Sequence, residues 1–515
     1  MFFAVSCANI LTGKEIRKNE EVNMLGKPNK QKDFFDSYVY ENLLPAEHIL
    51  LDIKRQIDFS FVEEETKDLY SSQFGRPGYP PEVLFKMLFL EFYYNLSDVE
   101  TAKQCKYNIL YRYFIGLQIH EPTPDDTSLV VFRDRLGRER FDRLFNRIVL
   151  QAKEKDLLKE RLRIADASKV TADVSIPTKV NLLHQGRKLI IRTISKLNPK
   201  KAKELTKKYL RKVKFFKKPP KKELSKERKL TRKFIKAVKT KFTKETDNLC
   251  KLLNSASWGR KKKDKLASFV DPDARFGKTS PEKKDSFCGY KAHILEDESE
   301  IITSVDILNG NEIECVKLGA LLEKEEEKKL NPKAIAADSI YDSGDNYKLL
   351  GRKKMKAYIS FNPRNRRTWK GFKHNEKKNF LTCPEGNTSI GRVPQEDGFL
   401  YYFSTRDCQT CPSKSTCIKP KETRARVFVK ADYVFTGSQN RYRKRALRLR
   451  KIIERKFGEA KKWHGMSRAR YRGKWKVAIQ ILMTFLVINA KRMAKLLNEN
   501  PPIKAFQPSI AIRAG

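Results

Sequence analysis

The chain has no long, uncharged apolar run. The stretch 480–497 (QILMTFLVINAKRMAKLL) is apolar but charged towards its end, which predicts a buried core helix rather than a membrane span. The first eleven residues, MFFAVSCANIL, lack the basic segment of a signal peptide and are too short to cross a bilayer. No lipidation signal is present. We therefore expect no membrane partner, and interpret 1–40 as a flexible extension, or as the result of a start codon assigned upstream of Met24.

A secreted disulfide framework is also absent. The chain has nine cysteines, which is ordinary usage for its length. Five of them are widely scattered and indicate a reducing, cytoplasmic environment: Cys7, Cys105, Cys250, Cys288 and Cys315.

Acidic residues are scarce relative to basic ones. The 515 residues include 109 Lys and Arg against 62 Asp and Glu, a formal net charge of +47. The cations are spread along the chain, so the predicted partner is a polyanion such as DNA or RNA. Neutralised phosphates would make that binding fall steeply with salt. The 40% hydrophobic content is enough for two or three buried cores.

Two helical signals dominate the amino-terminal region, which we predict to be an all-α domain over 41–155. The run 80–104 opens on prolines suited to a helix start and continues with helically spaced apolar residues. A second helix is predicted over 125–155, with Asp126 or Thr127 as its cap.

From about residue 160 the periodicity changes to that of strands. The segment 161–175 alternates, is rich in β-branched residues and carries Asp166 and Asp173. A Lys-rich, largely helical insertion is predicted over 178–265. Two interpretations of it stand open: a solvated linker or coiled hairpin, or an arm that contacts DNA.

The second half of the chain completes a predicted α/β architecture, a mixed sheet flanked by helices. We expect a core formed by 160–177 and 266–370, a Cys-rich insertion, carboxy-terminal helices and a tail. The core is predicted from a hairpin at 289–308, a helix at 314–330, a buried strand and helix at 332–350 with Asp338 at the strand's end, and a strand at 356–364. The Cys-rich insertion is predicted at 371–430, the carboxy-terminal helices at 431–497 and the tail at 498–515.

Arg450, Glu454 and Lys461 lie in one basic, helix-forming stretch, 441–462. Their spacings of four and seven residues place them on the same helix face. Taken alone, a single Glu among cations is most often a surface ion-pair partner. The acids elsewhere in the chain give it another interpretation.

Asp166, Asp338 and Glu454 could form one cluster, because strands and helices of one sheet layer bring remote residues together. Two divalent cations about 3.5 to 4 Å apart can activate a water or 3′-hydroxyl and stabilise the leaving oxygen in phosphodiester cleavage. Mg²⁺ prefers oxygen ligands. Without metal, like charges so close together would be costly. Asp173, Asp342 and Asp345 are the rival acids, with turn or cap roles as their simpler interpretation.

The chain resembles DDE-type insertion-sequence transposases with an RNase H-like core, in the branch with the signature Y-x2-R-x3-E-x6-K. Arg450, Glu454 and Lys461 match that signature, whereas Leu447 stands at the Tyr position. The further similar blocks occur in family order: FGRPGYPPEVLFKMLFL and FRDRL in the helical domain, IADASKVTAD around Asp166, GYKAH at 289–293, and AIAADSIYDSGDNY around Asp338.

The resemblance implies metal-dependent nicking at element ends followed by strand transfer into target DNA. Asp166, Asp338 and Glu454 would ligate two Mg²⁺ or Mn²⁺ ions, and Arg450 and Lys461 would hold DNA phosphates. The implied partners are double-stranded DNA, as terminal inverted repeats and target, and further copies of the chain in at least a dimer. The implied location is the chromosomal DNA of a prokaryotic cytoplasm.

Four cysteines fall within 35 residues: Cys383, Cys408, Cys411 and Cys417. The C-x2-C pair followed by a third Cys fits a tetrahedral Zn²⁺ site with Cys383 as fourth ligand. Its expected role is structural, because a small insertion has little core of its own. Free thiols or a redox-labile pair are the alternative, and His374 is a substitute ligand.

Two other functions compete with an active transposase. One is a catalytically inactive, transposase-derived DNA-binding protein, for which Leu447 and the basic insertion leave room. The other is an RNA-binding or RNA-processing protein, suggested by charge alone, since no RNA-binding module signature is present.

Overall fold

The computed structural model describes most of the chain between residues 34 and 499. The described ranges are 34–70, 78–210, 220–238, 244–257, 266–278, 286–360, 371–375, 378–395, 398–418, 422–430 and 441–499. The predictions for 1–33 and 500–515 lie outside them. The chain divides into two compact units. The first contains the described parts of 1–45, 59–88 and 98–136, and the second contains the rest.

Helices form the whole of the first unit, as predicted. The helices of the amino-terminal region are α1 (Phe34–Leu43), α2 (Ile49–Gln56), α3 (Phe61–Thr66), α4 (Pro81–Tyr94), α5 (Asp98–Tyr107), α6 (Ile109–Ile115) and α7 (Asp126–Glu154). Phe59, Phe85 and Phe114 pack together in the core with ring centroids 6.1–6.2 Å apart.

Several boundaries predicted for this region are wrong. The run 80–104 forms two helices, because the backbone turns at Asn95 with φ of 56°. α7 is broken at Gly137, where φ of 62° is a conformation that glycine adopts without strain. Its amino end is capped by Asp125, whose carboxylate accepts the Ser128 N–H at 2.7 Å, and not by Asp126 or Thr127. The compact units divide the predicted region 41–155, since 46–58, 89–97 and 137–155 belong to the second unit.

A mixed six-stranded sheet is the centre of the second unit. Its strands are β1 (Arg163–Thr171), β2 (Arg275–Lys278), β3 (Ser286–Asp297), β4 (Ile302–Asn309), β5 (Ala334–Ala337) and β6 (Lys356–Ile359). The order is β2-β3-β1-β5-β6, with β4 also paired to β3. β1 is antiparallel to β3 and parallel to β5, which is parallel to β6. The predicted 289–308 hairpin is confirmed as β3 and β4.

Helices complete this unit. They are α12 (Leu318–Glu327), preceded by a 3₁₀ turn at Glu314–Lys317; α13 (Gly344–Arg352), preceded by a 3₁₀ turn at Ser339–Tyr341; α16 (Arg441–Leu449), α17 (Lys451–Lys462) and α18 (Lys474–Glu499). Among the described residues, α18 alone is long and apolar enough to cross a membrane by composition, but 89% of its apolar window is buried. It is a core helix, as predicted.

The Lys-rich insertion folds into four helices that pack on one another. They are α8 (Lys179–Leu197), α9 (Pro199–Tyr209), α10 (Lys221–Val238) and α11 (Lys244–Ser257). Ile190, Phe234 and Leu253 are fully buried in their common core. The insertion is therefore neither a linker nor a simple hairpin.

The Cys-rich region forms two small sheets with the helical turns α14 (Thr405–Gln409) and α15 (Lys414–Cys417). The strands are β7 (Lys373–Asn375), β8 (Phe380–Thr382), β9 (Gly391–Gln395), β10 (Gly398–Tyr402) and β11 (Arg426–Lys430). Their shared core is small, with six buried residues such as Tyr401 and Val429.

Glu296 on β3 generates a prediction about stability. The side chain is fully buried, neither of its carboxyl oxygens has a hydrogen-bond partner among the described residues, and burial raises its pKa to about 8. The folded protein thus holds this proton more tightly than the unfolded chain, so stability is lost as pH rises from about 4.5 to 8. We expect Glu296→Gln to remove a decrease of the order of 3 kcal/mol in the free energy of unfolding between pH 5 and 9.

Urea unfolding at the two pH values measures this difference. The matched control is Glu326→Gln, because Glu326 is 55% exposed on α12. An identical pH dependence in Glu296→Gln and the native protein would contradict the prediction.

Candidate active site

Asp166 and Asp338 are brought together by strand register. β1 and β5 are parallel, and their last paired residues are Ala165 and Ala337. The next residue of the chain after each is an aspartate: Asp166 within β1, and Asp338 directly after β5. Neighbouring strands lie about 4.8 Å apart and successive side chains alternate between faces, so the two carboxylates share one face beside the end of β5.

Local hydrogen bonds orient both carboxylates. Asp166 Oδ1 accepts the N–H of Ala167 at 2.8 Å. Asp338 caps the 3₁₀ turn that follows β5, because its Oδ1 accepts the Ile340 N–H at 2.9 Å. The chain turns immediately after Asp338, which keeps that carboxylate at the end of the strand.

The two aspartates are electrostatically strained in the absence of a cation. Burial, followed by the charge of Asp338, raises the pKa of Asp166 to about 7 despite an opposing hydrogen bond from Ala167. Burial also raises the pKa of Asp338. A desolvated pair of oxygen ligands that resists ionisation has the chemistry of a site for a hard divalent cation.

Arg450 connects the aspartates to Glu454. Its guanidinium lies 3.7 Å from Asp166 Oδ2 and 3.1 Å from Glu454 Oε1. The stretch 441–462 forms two helices, α16 and α17, that adjoin at Arg450, and not one helix as predicted. The predicted i,i+4 contact of Arg450 with Glu454 is nevertheless present. Glu454 itself is 56% exposed, so its carboxylate faces solvent, whereas Asp166 and Asp338 are partly buried.

Lys461 lies near the same group of acids. Burial, followed by the charge of Lys169, lowers its pKa, and the charge of Asp166 opposes that shift. Lys461 is thus a half-buried cation close enough to Asp166 to interact with it. Leu447, at the signature Tyr position, is partly buried on α16.

Glu314 is a further acid at this site that the sequence analysis missed. Its charge contributes to the raised pKa of both Asp166 and Asp338. Lys291 on β3 donates to Glu314 Oε2 at 2.5 Å and to the Glu312 carbonyl at 2.9 Å. The only sequence signals were the predicted helix from residue 314 and the GYKAH block that contains Lys291.

Tyr341 is a buried side chain close enough to these acids to interact with their charges. It is fully buried, and its hydroxyl lies 2.9 Å from His293 Nε2. Burial raises its pKa well above the ordinary value, and the charge of Asp166 adds to that effect. The Tyr341 hydroxyl is therefore neutral, and its side chain is a fully buried group near Asp166.

The rival acids have other partners. Asp173 lies 2.5 Å from Arg468. Asp342 is buried and accepts the Tyr347 hydroxyl at 2.7 Å. Asp345 is in the first turn of α13, where a negative charge complements the helix dipole.

Within the described ranges, no three His, Cys, Asp or Glu side chains are arranged to hold one metal ion. At the acids, the Arg450 guanidinium lies beside two of the three predicted ligands. A donor set of carboxylates, two of them partly buried, still fits Mg²⁺ or Mn²⁺.

The four clustered cysteines are half-buried free thiols. Cys383, Cys408 and Cys417 pack against the small core of the Cys-rich region. Cys383 lies in a tight turn in which its carbonyl accepts the Gly386 N–H at 3.0 Å, with φ of 85° at Gly386. Cys411 opens a similar turn, since its carbonyl accepts the Lys414 N–H at 3.1 Å. Such turns are typical of zinc-binding thiolates.

Comparisons with known proteins match two parts of the chain. Residues 38–135 match a transposase domain family (DUF772), and residues 382–494, which include Glu454, match the transposase DDE domain family. No curated protein and no solved structure matches the chain. The two matches lie in the order expected from the sequence, and together they support an insertion-sequence DDE transposase.

Proposed function

We propose that this transposase cleaves DNA at the ends of an insertion sequence and transfers the cut strand into target DNA, with Asp166, Asp338 and Glu454 as its metal ligands. The observation that carries the proposal is the pair of partly buried aspartates, Asp166 and Asp338, which directly follow the last paired residues of β1 and β5; Asp166 is linked through Arg450 to Glu454. A structural ion pair would explain Glu454, but it would not explain two adjacent, partly desolvated aspartates.

We infer further that the catalytic core is RNase H-like. The strand order β4-β3-β1-β5-β6, with β3 antiparallel to β1 and with β5 and β6 parallel to it, supports this inference. In such a sheet an acid within one strand and an acid at the end of the neighbouring parallel strand come together, and a helix supplies the third.

Bound Mg²⁺ or Mn²⁺ would supply Lewis-acid stabilisation and a deprotonated nucleophile for phosphodiester cleavage. The chain's own residues prepare the site. Asp166 and Asp338 are held at fixed positions by backbone hydrogen bonds. Arg450 and Lys461 supply cations for the scissile region, and Arg450 can exchange its carboxylate partners for a DNA phosphate because guanidinium binds both anions in a bidentate manner.

The proposed partners are the terminal inverted repeats, the target duplex and at least one further copy of the chain, since two element ends are cut in one assembly. The enzyme would act on chromosomal DNA in a prokaryotic nucleoid. The four thiols of the Cys-rich region would bind a structural Zn²⁺, which would stabilise a segment whose own core has six buried residues.

Strand nicking of a labelled duplex that spans an element end and its flank tests the activity. We expect Asp166→Asn and Glu454→Gln each to lower junction cleavage in Mg²⁺ or Mn²⁺ by at least about 10³-fold, because each removes a charged metal ligand. The matched control is Asp345→Asn, which should cleave like the native protein. Specific binding without cleavage by the folded native protein would contradict the proposal and favour an inactive DNA-binding protein.

Metal binding can be measured without DNA. We expect 10 mM Mg²⁺ to raise the thermal unfolding midpoint of the native protein, because a ligand of the folded state stabilises it by mass action. Asp166→Asn and Asp338→Asn should respond less, and Asp345→Asn should respond normally. Equal shifts in all four proteins would place the metal elsewhere.

Zinc analysis of the purified protein tests the Cys-rich site. We expect about one Zn²⁺ per chain, released by chelator together with exposure of four thiols to a thiol reagent. Cys408→Ser should lose the metal, while Cys315→Ser, outside the cluster, should keep it. Zinc-free protein with all four thiols reactive from the start would rule the site out.

A further inference from the structure

Helix α10 presents one continuous row of five exposed lysines. Lys222, Lys226, Lys229, Lys233 and Lys236 are separated by alternating steps of four and three residues. That spacing aligns side chains along one helix face. At a rise of 1.5 Å per residue, the row is about 21 Å long. We call these five residues the α10 lysine row.

The surface around the row has one sign of charge. Seven of the nine exposed residues of α10 are Lys or Arg, and none is acidic. The two glutamates of the helix are Glu223, which is half-buried, and Glu227, which is fully buried. Within the part of the chain that the structure describes, no lysine of the row pairs with a carboxylate.

This arrangement differs from an ordinary solvated helix face. Exposed helices usually alternate Glu and Lys at i,i+4, and like charges at that spacing destabilise a helix by about 0.2–0.5 kcal/mol per pair. The row contains like pairs at Lys222 and Lys226 and at Lys229 and Lys233. A polyanion laid along the helix would relieve that repulsion.

The opposite face of α10 fixes the direction in which the row points. Phe234 and Val238 are buried in the insertion core. Arg187 of α8 pairs with Glu227 and donates to the Thr231 hydroxyl at 2.5 Å, and its Nε donates to the carbonyl of Tyr209 at the end of α9 at 3.1 Å. One buried guanidinium thus joins three helices and prevents rotation of α10 about its axis.

Chain topology connects the insertion to the acids. The insertion follows the carboxyl end of β1, and Asp166 is on this strand. β5 runs parallel to β1, and Asp338 directly follows the carboxyl end of β5. The chain therefore enters the insertion from the sheet edge to which these strands run.

We propose that the α10 lysine row binds the phosphate backbone of duplex DNA, without regard to base sequence, beside the DNA that the acids engage. Lysine acts as a point charge towards phosphate and carries no geometric base code. A row about 21 Å long spans about six nucleotides of one strand at 3.4 Å each. The choice of DNA as the polyanion rests on the proposed function.

The test compares two full-length variants that lose the same charge. One changes the five lysines of the row to Gln, and the control changes five exposed lysines on other elements to Gln: Lys155, Lys329, Lys373, Lys378 and Lys495. Affinity for a 30-base-pair duplex of arbitrary sequence is measured between 50 and 300 mM salt in EDTA, so that no cleavage occurs. Circular dichroism verifies the fold, and Lys226→Gln/Lys229→Gln replaces the five-residue variant if that one unfolds.

We expect the slope of log affinity against log salt to decrease in magnitude by about 0.9 for each lost phosphate contact, hence by about 4 to 5 in the row variant. In the double variant the expected decrease is about 2, and the control should change by less than about 1. Equal slopes in the row variant and the control would overturn the proposal. So would a loss of affinity for single-stranded RNA or anionic vesicles without loss of affinity for duplex DNA.

The same proteins separate this inference from the proposed cleavage activity. Asp166→Asn should keep the native salt slope, because the row does not depend on the metal ligands. A native protein that fails to nick element ends but shows the row-dependent slope would refute the activity and keep the row. A native protein that nicks element ends normally, with no slope difference between the row variant and the control, would support the cleavage activity and refute the role of the α10 lysine row.

Discussion

The close approach of two partly buried carboxylates, directly after the last paired residues of the parallel strands β1 and β5, is the constraint on which the site depends. β1 and β5 can place Asp166 beside Asp338 only if the rest of the sheet holds their register, and the fully buried Ile164, Ile335 and Ala336 do so. The resulting repulsion is a cost to folding that apolar packing must offset. A cation converts that cost into binding energy, and this is the physical reason for interpreting the pair as functional.

The third acid is under a different constraint. Glu454 is exposed on α17 and is connected to the two partly buried aspartates through Arg450. The charge of Arg450 opposes the rise in the pKa of both aspartates, so it is a counter-charge for them. If the aspartates bind metal as we propose, the guanidinium and the metal would be alternative counter-charges for the same carboxylates. Loading of the site with metal and release of Arg450 towards DNA would then be coupled events.

Sequence alone was enough to predict the strand that carries Asp166 and the strand that Asp338 follows, because an alternating, β-branched run and a short apolar run each have a local signature. It also located Arg450 and Glu454 at an i,i+4 spacing that the structure retains. Glu314 could not be predicted, because its proximity to the aspartates depends on the 3₁₀ turn before α12 and on Lys291 of another strand. The division of the amino-terminal helices between two units was equally hidden, since it depends on backbone turns at Asn95 and Gly137 and on long-range packing.

The α10 lysine row and the candidate acids lie on different parts of the fold. The row is on the insertion, and the acids are on the sheet and on α17. The sheet has few positions at which cations can be added without disturbing the acids, because Lys and Arg near Asp166 change its ionisation. A helical insertion with its own buried core and its own Arg187 junction can carry many lysines at no cost to the site. If both proposals hold, non-specific affinity for DNA would be set on α10 independently of the carboxylates that cleave the DNA.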